Sequence, residues 1–143
     1  MDIARSALVT HSAPDMYRLV HGVTDYPDFL SWCTAAEVHE QGPEFQVASL
    51  EVFVGGVRQR FTTRNRLLRC EQLTMSLVDG PFQRLTGEWR FEPLGDSGSK
   101  VSLELSFEVS SRLMAGAFSR GFARVADRLV KDFSRRADVV YGG

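Results

Sequence analysis

Cysteine is scarce in this chain of 143 residues: Cys33 and Cys70 are the only two, far apart and outside any Cys-x-x-Cys spacing. A disulfide scaffold and a cysteine-based metal knuckle are therefore excluded, and both residues read as reduced thiols that pack as small hydrophobes. No apolar run approaches the length of a membrane span, and the first residues lack the charged-then-apolar pattern of an export signal, so the expected location is the cytoplasm. Histidine is also sparse, and His11, His21 and His39 do not have metal-ligand spacing. There is no Gly-rich phosphate loop and no Gly-x-Ser-x-Gly nucleophile turn. Neither charge dominates. With 17 basic and 18 acidic residues the net charge is -1, so any attraction to nucleic acid or an anionic membrane has to come from a local patch. These absences point away from catalysis and require no metal or cofactor. What remains is an ordinary globular composition, 43% hydrophobic and 24% charged, in a length that suits one domain over 1–143.

The strongest positive signal is the stretch 111–140. Met114, Phe118, Phe122, Val125, Leu129, Phe133, Ala137 and Val140 recur at steps of three and four, which predicts one long amphipathic helix. Arg120, Arg124, Asp127, Arg128, Lys131, Asp132, Arg135, Arg136 and Asp138 occupy its other side. Ser110 and Ser111 are cap candidates at its start, and Gly142 and Gly143 follow its end.

Upstream, 2–10 reads as a strand. Ser12-Ala-Pro-Asp15 then starts a short helix with Ser12 as cap, proline in the first turn and Asp15 three residues on. That helix shows Met16, Leu19, Val20 and Val23 and stops near Gly22. The aromatic-rich segment Tyr26 to Cys33 reads as a second short helix or turn docked on the fold. From Ala36 the period changes to two. A strand near 35–41 precedes a hairpin of 45–54 and 57–68, turned at Gly55-Gly56, which supply the positive φ a tight turn needs. That turn pairs Val54 with Val57, Val52 with Gln59 and Leu50 with Phe61 on one face, and sets Glu51 opposite Arg60 on the other. Strands near 72–78, 82–93 and 99–109 follow. Leu85, Trp89 and Phe91, then Val101, Leu103, Leu105, Phe107 and Val109, point to one face, while Arg84, Glu88, Arg90, Glu92, Lys100, Glu104 and Glu108 point to the other. The expected fold class is α+β. A curved six- to seven-stranded antiparallel sheet wraps around helix 112–140, with two short helices after the first strand.

Several strings in this order resemble one family: Arg5-Ser-Ala-Leu-Val9, Tyr26-Pro-Asp-Phe-Leu-Ser-Trp-Cys33, Gly55-Gly-Val-Arg-Gln-Arg-Phe-Thr-Thr-Arg-Asn65, Leu77-Val-Asp-Gly-Pro-Phe82 and the pair Trp89-x-Phe91. They are similar to the bacterial ribosome-association toxin (RatA) family, itself similar to the mitochondrial coenzyme-Q-binding proteins. Both lie in the START-like, or polyketide-cyclase-like, superfamily with its helix-grip fold. The resemblance implies two roles. One is non-enzymatic binding of ubiquinone or another isoprenoid lipid in an apolar tunnel, in support of respiration. The other is binding of the large ribosomal subunit so that subunit joining is blocked. An aromatic polyketide cyclase is the weaker third implication.

Parity and the helical stripe define the residues that would form a ligand cavity between helix and sheet. They are Leu50, Phe61, Met75, Leu77, Trp89, Phe91, Leu103, Phe107, Phe118 and Phe122, with Gln59, Thr63 and Asn65 as polar groups. Those three either bond to one another, to backbone or to water, or meet the oxygens of a quinone-like ligand. Tyr26, Phe29, Leu30 and Trp32 are gate candidates. Gly116 and Gly121, which weaken a helix, mark either a close approach or room above the cavity, so Gly121→Leu is expected to narrow that space. On the outer face Arg58, Arg60, Arg64 and Arg66 form a row. It either contacts ribosomal RNA or makes a solvated ladder with Glu51, Glu88, Glu92 and Glu104.

Overall fold

The computed structural model describes residues 1–110 and 115–142, with Ala115 as backbone only. The order is β1 (Asp2–Val9), α1 (Ala13–His21), a 3-10 helix (Val23–Asp28), β2 (Cys33–Gly42), β3 (Phe45–Val54), β4 (Val57–Leu68), β5 (Gln72–Asp79), β6 (Phe82–Leu94), β7 (Gly98–Val109) and α2 (Ala115–Tyr141). All the strands join one antiparallel sheet in the order β1-β7-β6-β5-β4-β3-β2, which leaves β1 and β2 as its edges. Register shifts within the β2–β3, β4–β5 and β6–β7 pairs add local twist, and the sheet curls around α2. The result is a helix-grip architecture.

Local chemistry sets the elements. Ser12 caps α1 by accepting a hydrogen bond from the Asp15 amide at 3.2 Å. This helix buries Ala13, Met16, Tyr17 and Val20; Tyr17 takes the inward place expected of Leu19, which is only half-buried. The Gly55-Gly56 turn has φ of 57° and 75°, as a two-residue hairpin of this hand requires. The β3–β4 register is the one that the turn dictates: Val54↔Val57, Val52↔Gln59, Leu50↔Phe61 and Glu51↔Arg60. β2 begins at Cys33, earlier than the alternation suggested, because the Phe53 amide donates to the Trp32 carbonyl at 2.8 Å and carries the pairing upstream.

The apolar stripe of α2 runs through Phe118, Phe122, Val125, Ala126, Val130, Phe133 and Ala137, all buried. Val140, expected to end the stripe, is exposed, because the inward side of the helix passes from Ala137 to Tyr141, which packs against the core in its place. Ser111, Met114 and Gly143 lie outside the described residues.

The core is divided. One cluster gathers Met16, Tyr17, Tyr26, Trp89, Phe91, Leu103 and Phe133 beneath α1. The other gathers Phe61, Phe82, Phe107, Phe118 and Phe122 near the β3–β4 hairpin. Where α2 meets that hairpin, the contact is made by glycines. A Cβ on Gly121 would sit 2.6 Å from the Gly55 nitrogen and 3.1 Å from the Val54 carbonyl carbon, and a Cβ on Gly55 would strike the Ala117 carbonyl. Gly121 therefore marks a close approach of helix to turn and not room above a cavity. Gly116 is exposed and meets only its own neighbour Arg120.

Cys33 is buried and Cys70 half-buried. Burial pushes the Cys33 thiol up to about 11. Iodoacetamide at neutral pH should therefore alkylate Cys70 first and Cys33 at least about tenfold more slowly, because the thiolate is the reactive form. Peptide mass spectrometry over a time course measures this, and equal rates would contradict the packing of Cys33.

Candidate functional site: an internal cavity with a polar corner

A cavity of about 80 Å³ lies between the two clusters, under α2. α2 supplies Phe122, Val125, Ala126, Leu129 and Phe133, and the sheet supplies Ala48, Leu50, Phe61, Leu73, Met75, Leu85, Trp89 and Leu105. Val23, Tyr26 and Trp32 close it from the segment between α1 and β2. Both tryptophans of the chain stand on its wall.

Its polar corner is Thr63 and Asn65. The Thr63 hydroxyl donates to Asn65 Oδ1 at 2.9 Å, Asn65 Nδ2 donates to Gln46 Oε1 at 2.9 Å, and Gln46 Nε2 donates to the His21 carbonyl at 3.2 Å. All three side chains are buried. The chain of bonds ties β4 and β3 to the end of α1, and Thr63, having given its proton to Asn65, presents an acceptor oxygen. Trp32 differs: its indole nitrogen is buried and has no hydrogen-bond partner among the described residues. A buried N–H left unpaired costs roughly 1–3 kcal/mol, so this wall carries an unsatisfied donor. Replacing Asn65 with Leu should destabilise the fold by about 2 kcal/mol, since Thr63 and Gln46 both lose their partner. Urea unfolding measures it, and a loss below about 0.5 kcal/mol would show that these groups reach water.

Of the residues expected from parity, Leu50, Phe61, Thr63, Asn65, Met75, Trp89 and Phe122 meet at the cavity. Gln59, Leu77, Phe91, Leu103, Phe107 and Phe118 do not. Phe107 and Phe118 fill the cluster beside the hairpin, and Phe91 and Leu103 fill the cluster under α1, where Phe91 stands edge-on to Tyr17 at 5.8 Å. Leu77 is partly buried against the hairpin-side cluster, and Gln59 lies half-buried three residues past the turn. They share a face with the cavity residues, but the curl of the sheet carries them to either end of it. Among the expected gate residues, Tyr26 and Trp32 reach the cavity, whereas Leu30 is fully buried behind it. Phe29 is held between Phe133, at 5.3 Å, and the Arg136 guanidinium, at 4.9 Å. Tyr26 donates its hydroxyl to the Val20 carbonyl, and burial pushes its ionisation well above the usual range. The sequence reading missed Val125, Ala126, Leu129 and Phe133 as lining. The stripe positions of Val125, Leu129 and Phe133 marked them as core, and nothing in the stripe says which of its turns faces a void; Ala126 lay outside the stripe as read. It also missed Gln46, a polar residue at an inward position of β3.

On the outer face the arginine row is partly engaged. Arg58 pairs with Glu51 at 2.8 Å, and Arg60 lies 3.7 Å from Glu37. Arg64 stacks over Phe45 at 4.5 Å, and Arg66 is exposed beside it. The expected ladder to Glu88, Glu92 and Glu104 does not form. β5 separates β4 from β6, and Glu88 instead binds Arg90 at 3.0 Å.

Residues 9–134 match the family described as polyketide cyclase / dehydrase and lipid transport. The chain is 44% identical over 140 residues to the ribosome association toxin RatA of Vibrio cholerae, covering 98% of this chain and 97% of that one. It is 29% identical over 133 residues to the mitochondrial coenzyme Q-binding protein of Drosophila melanogaster, covering 90% of this chain and 55% of that one. Two solved structures share its fold at low identity. The Zhui aromatase/cyclase from Streptomyces superposes with a TM-score of 0.83 at 18% identity, over 100% of this chain and 98% of that one. A START superfamily protein from Mycobacterium smegmatis superposes with a TM-score of 0.82 at 17% identity, over 97% of this chain and 98% of that one. With the sheet, the gripped helix and the cavity in place, the chain belongs to the polyketide cyclase / dehydrase and lipid transport family, START-like in fold, and within it to the RatA family.

Proposed function

We propose that this protein works by binding, not catalysis, and that its target is the large ribosomal subunit, whose joining to the small subunit it blocks in the cytoplasm. The observation that carries this reading is the 44% identity to a ribosome association toxin across nearly the whole of both chains. The 18% identity to an aromatase/cyclase speaks for the fold alone, and fold does not carry activity. The test is sedimentation of purified protein with isolated large subunits, followed by addition of small subunits at raised magnesium. Comigration with the large subunit and fewer joined ribosomes are expected. Protein left at the top of the gradient at low salt would end this reading.

A second reading, binding of a quinone-like lipid, is favoured by the unpaired Trp32 N–H on an otherwise apolar wall beside Thr63 and Asn65. A carbonyl oxygen of such a ligand would satisfy that donor. The cavity, about 80 Å³, is roughly half the ~150 Å³ that takes a benzene ring, so entry requires Trp32 and the 3-10 helix to move outward. Titration with a short-tailed ubiquinone should quench tryptophan fluorescence saturably, because both tryptophans line the site. Ala126→Leu, which fills the space, should remove the response, and a wild type without a saturable change would discard the lipid.

A further inference from the structure

Charge in this chain is segregated. α2 carries six basic and three acidic residues, which leaves eleven basic and fifteen acidic for all the rest. The basic residues of α2 are also ordered. Arg120, Arg124, Arg128, Lys131 and Arg135 recur at steps of three and four, so they form one stripe along the helix face turned away from the core. All five are exposed, and none has a hydrogen-bond or ion-pair partner among the described residues. Two of the three acids of the helix are drawn elsewhere, Asp127 to Arg5 on β1 and Asp138 to His11 at 2.7 Å, and Asp132 makes no ion pair among the described residues. The arginines of β4 present a different picture, since three of those four are held by a glutamate or an aromatic ring.

We infer that the outer face of α2 is an RNA phosphate-binding surface, with Arg120, Arg124, Arg128, Lys131 and Arg135 as its contacting cations. The inference deepens the ribosome reading above and takes ribosomal RNA as the partner. The stripe extends about 22 Å along the helix, with neighbouring cations about 5–6 Å apart along the axis, so it can follow a run of phosphates. Unpaired cations suit this role, because each can release a condensed counterion from the RNA without first breaking an internal ion pair. An anionic lipid surface fits less well. A helix lying in a membrane interface buries apolar side chains beside its cations, but the apolar side of α2 from Phe118 to Ala137 is committed to the core, the exposed positions from Arg120 to Asp138 are all charged, and the exposed Val139 and Val140 lie beyond the cationic stripe.

The test compares the wild type with two variants. One carries Arg120→Gln, Arg124→Gln, Arg128→Gln, Lys131→Gln and Arg135→Gln; the other carries Arg58→Gln, Arg60→Gln, Arg64→Gln and Arg66→Gln. Glutamine matches arginine and lysine closely in helix propensity, and circular dichroism with thermal melting confirms folding before use. Each protein is sedimented with large subunits and titrated against a short A-form RNA duplex and against vesicles of phosphatidylcholine and phosphatidylserine. Five phosphate contacts predict that log affinity for the duplex falls with log salt at a slope of about -3.5 to -4.5. The α2 variant should lose about a hundredfold in affinity for subunits and duplex at low salt, and its slope should flatten towards zero, while the β4 variant stays near wild type. If the wild type binds subunits and the α2 variant binds equally well, the inference is wrong and the ribosome reading survives. Subunit binding by a wild type that ignores the duplex would assign the stripe to a protein partner and overturn the inference. Binding to the vesicles alone would overturn both. Duplex binding that depends on α2, without subunit binding, would uphold the RNA surface and end the ribosome reading.

Discussion

Replacing Phe122 with Ala should cost about 3–5 kcal/mol of stability, the range for removing a large aromatic from a packed core. Phe122 is the hub of the hairpin-side cluster. Its ring lies 4.9 Å from that of Phe107, 5.0 Å from Phe82, 5.9 Å from Phe118 and 6.0 Å from Phe61. Truncation removes all four ring contacts at once. The hole left behind cannot close easily, because two of its walls are hydrogen-bonded strands and a third is the helix backbone. It would instead open into the existing 80 Å³ cavity, which Phe122 already lines. Urea unfolding should show a lower midpoint at unchanged slope, since the same surface is exposed on unfolding. A loss below about 1 kcal/mol would place the ring against an open space and refute the packing described above. The same variant should also admit a small apolar molecule more readily than the wild type.

The second large effect is expected at Gly121. A leucine there gains about 1 kcal/mol in helix propensity over glycine. It also forces a side chain into a gap where even a Cβ would lie 2.6 Å from the Gly55 nitrogen. That neighbour is backbone in a tight turn with φ of 57°, so it cannot rotate aside as a flexible side chain would. The helix must lift or the hairpin must bend. We expect Gly121→Leu to be destabilising by about 3 kcal/mol, the upper end for overpacking. Ser119→Leu, half-exposed in the same helix, is the control for propensity alone. Equal stability of the two variants would show that helix and turn do not touch. Any loss of ligand response in Gly121→Leu would then report a damaged frame and not a filled cavity, and Ala126→Leu is the cleaner probe.

The sequence made the sheet legible because its signals were local. Gly55-Gly56 fixes one register, and once it is fixed every residue from Phe45 to Leu68 has an assigned face. Alternation in β6 and β7 does the same for Leu85, Trp89 and Phe107. The cavity was legible only in part, for a reason of scale. Parity gives the side of the sheet and nothing about distance along a curved surface, so Phe61 and Phe91 look equivalent although they belong to different clusters. Gly121 shows the same limit. Its glycine has a cause, but the cause is a turn distant in sequence, and periodicity within α2 carries no trace of it. The Thr63–Asn65–Gln46 chain lay half in view, since Gln46 stood at an inward position whose polarity had no visible partner.

The strand order has a consequence for how the molecule comes into being. β1 is made first, yet its partner β7 is complete only when Val109 has been added, since Asp2 pairs with Ser106 and Val9 with Ser99. During synthesis the first strand must wait, unpaired on both sides, while nearly the whole sheet is assembled behind it. The β2–β3–β4 meander can form early from neighbouring segments, and α2 then arrives last to cover its apolar face. Closure at the β1 edge therefore links the two halves of the chain late, and long-range pairing of this kind slows folding. A nascent chain stalled after β6 should be protease-sensitive at Asp2–Val9, and one released past α2 should be protected there.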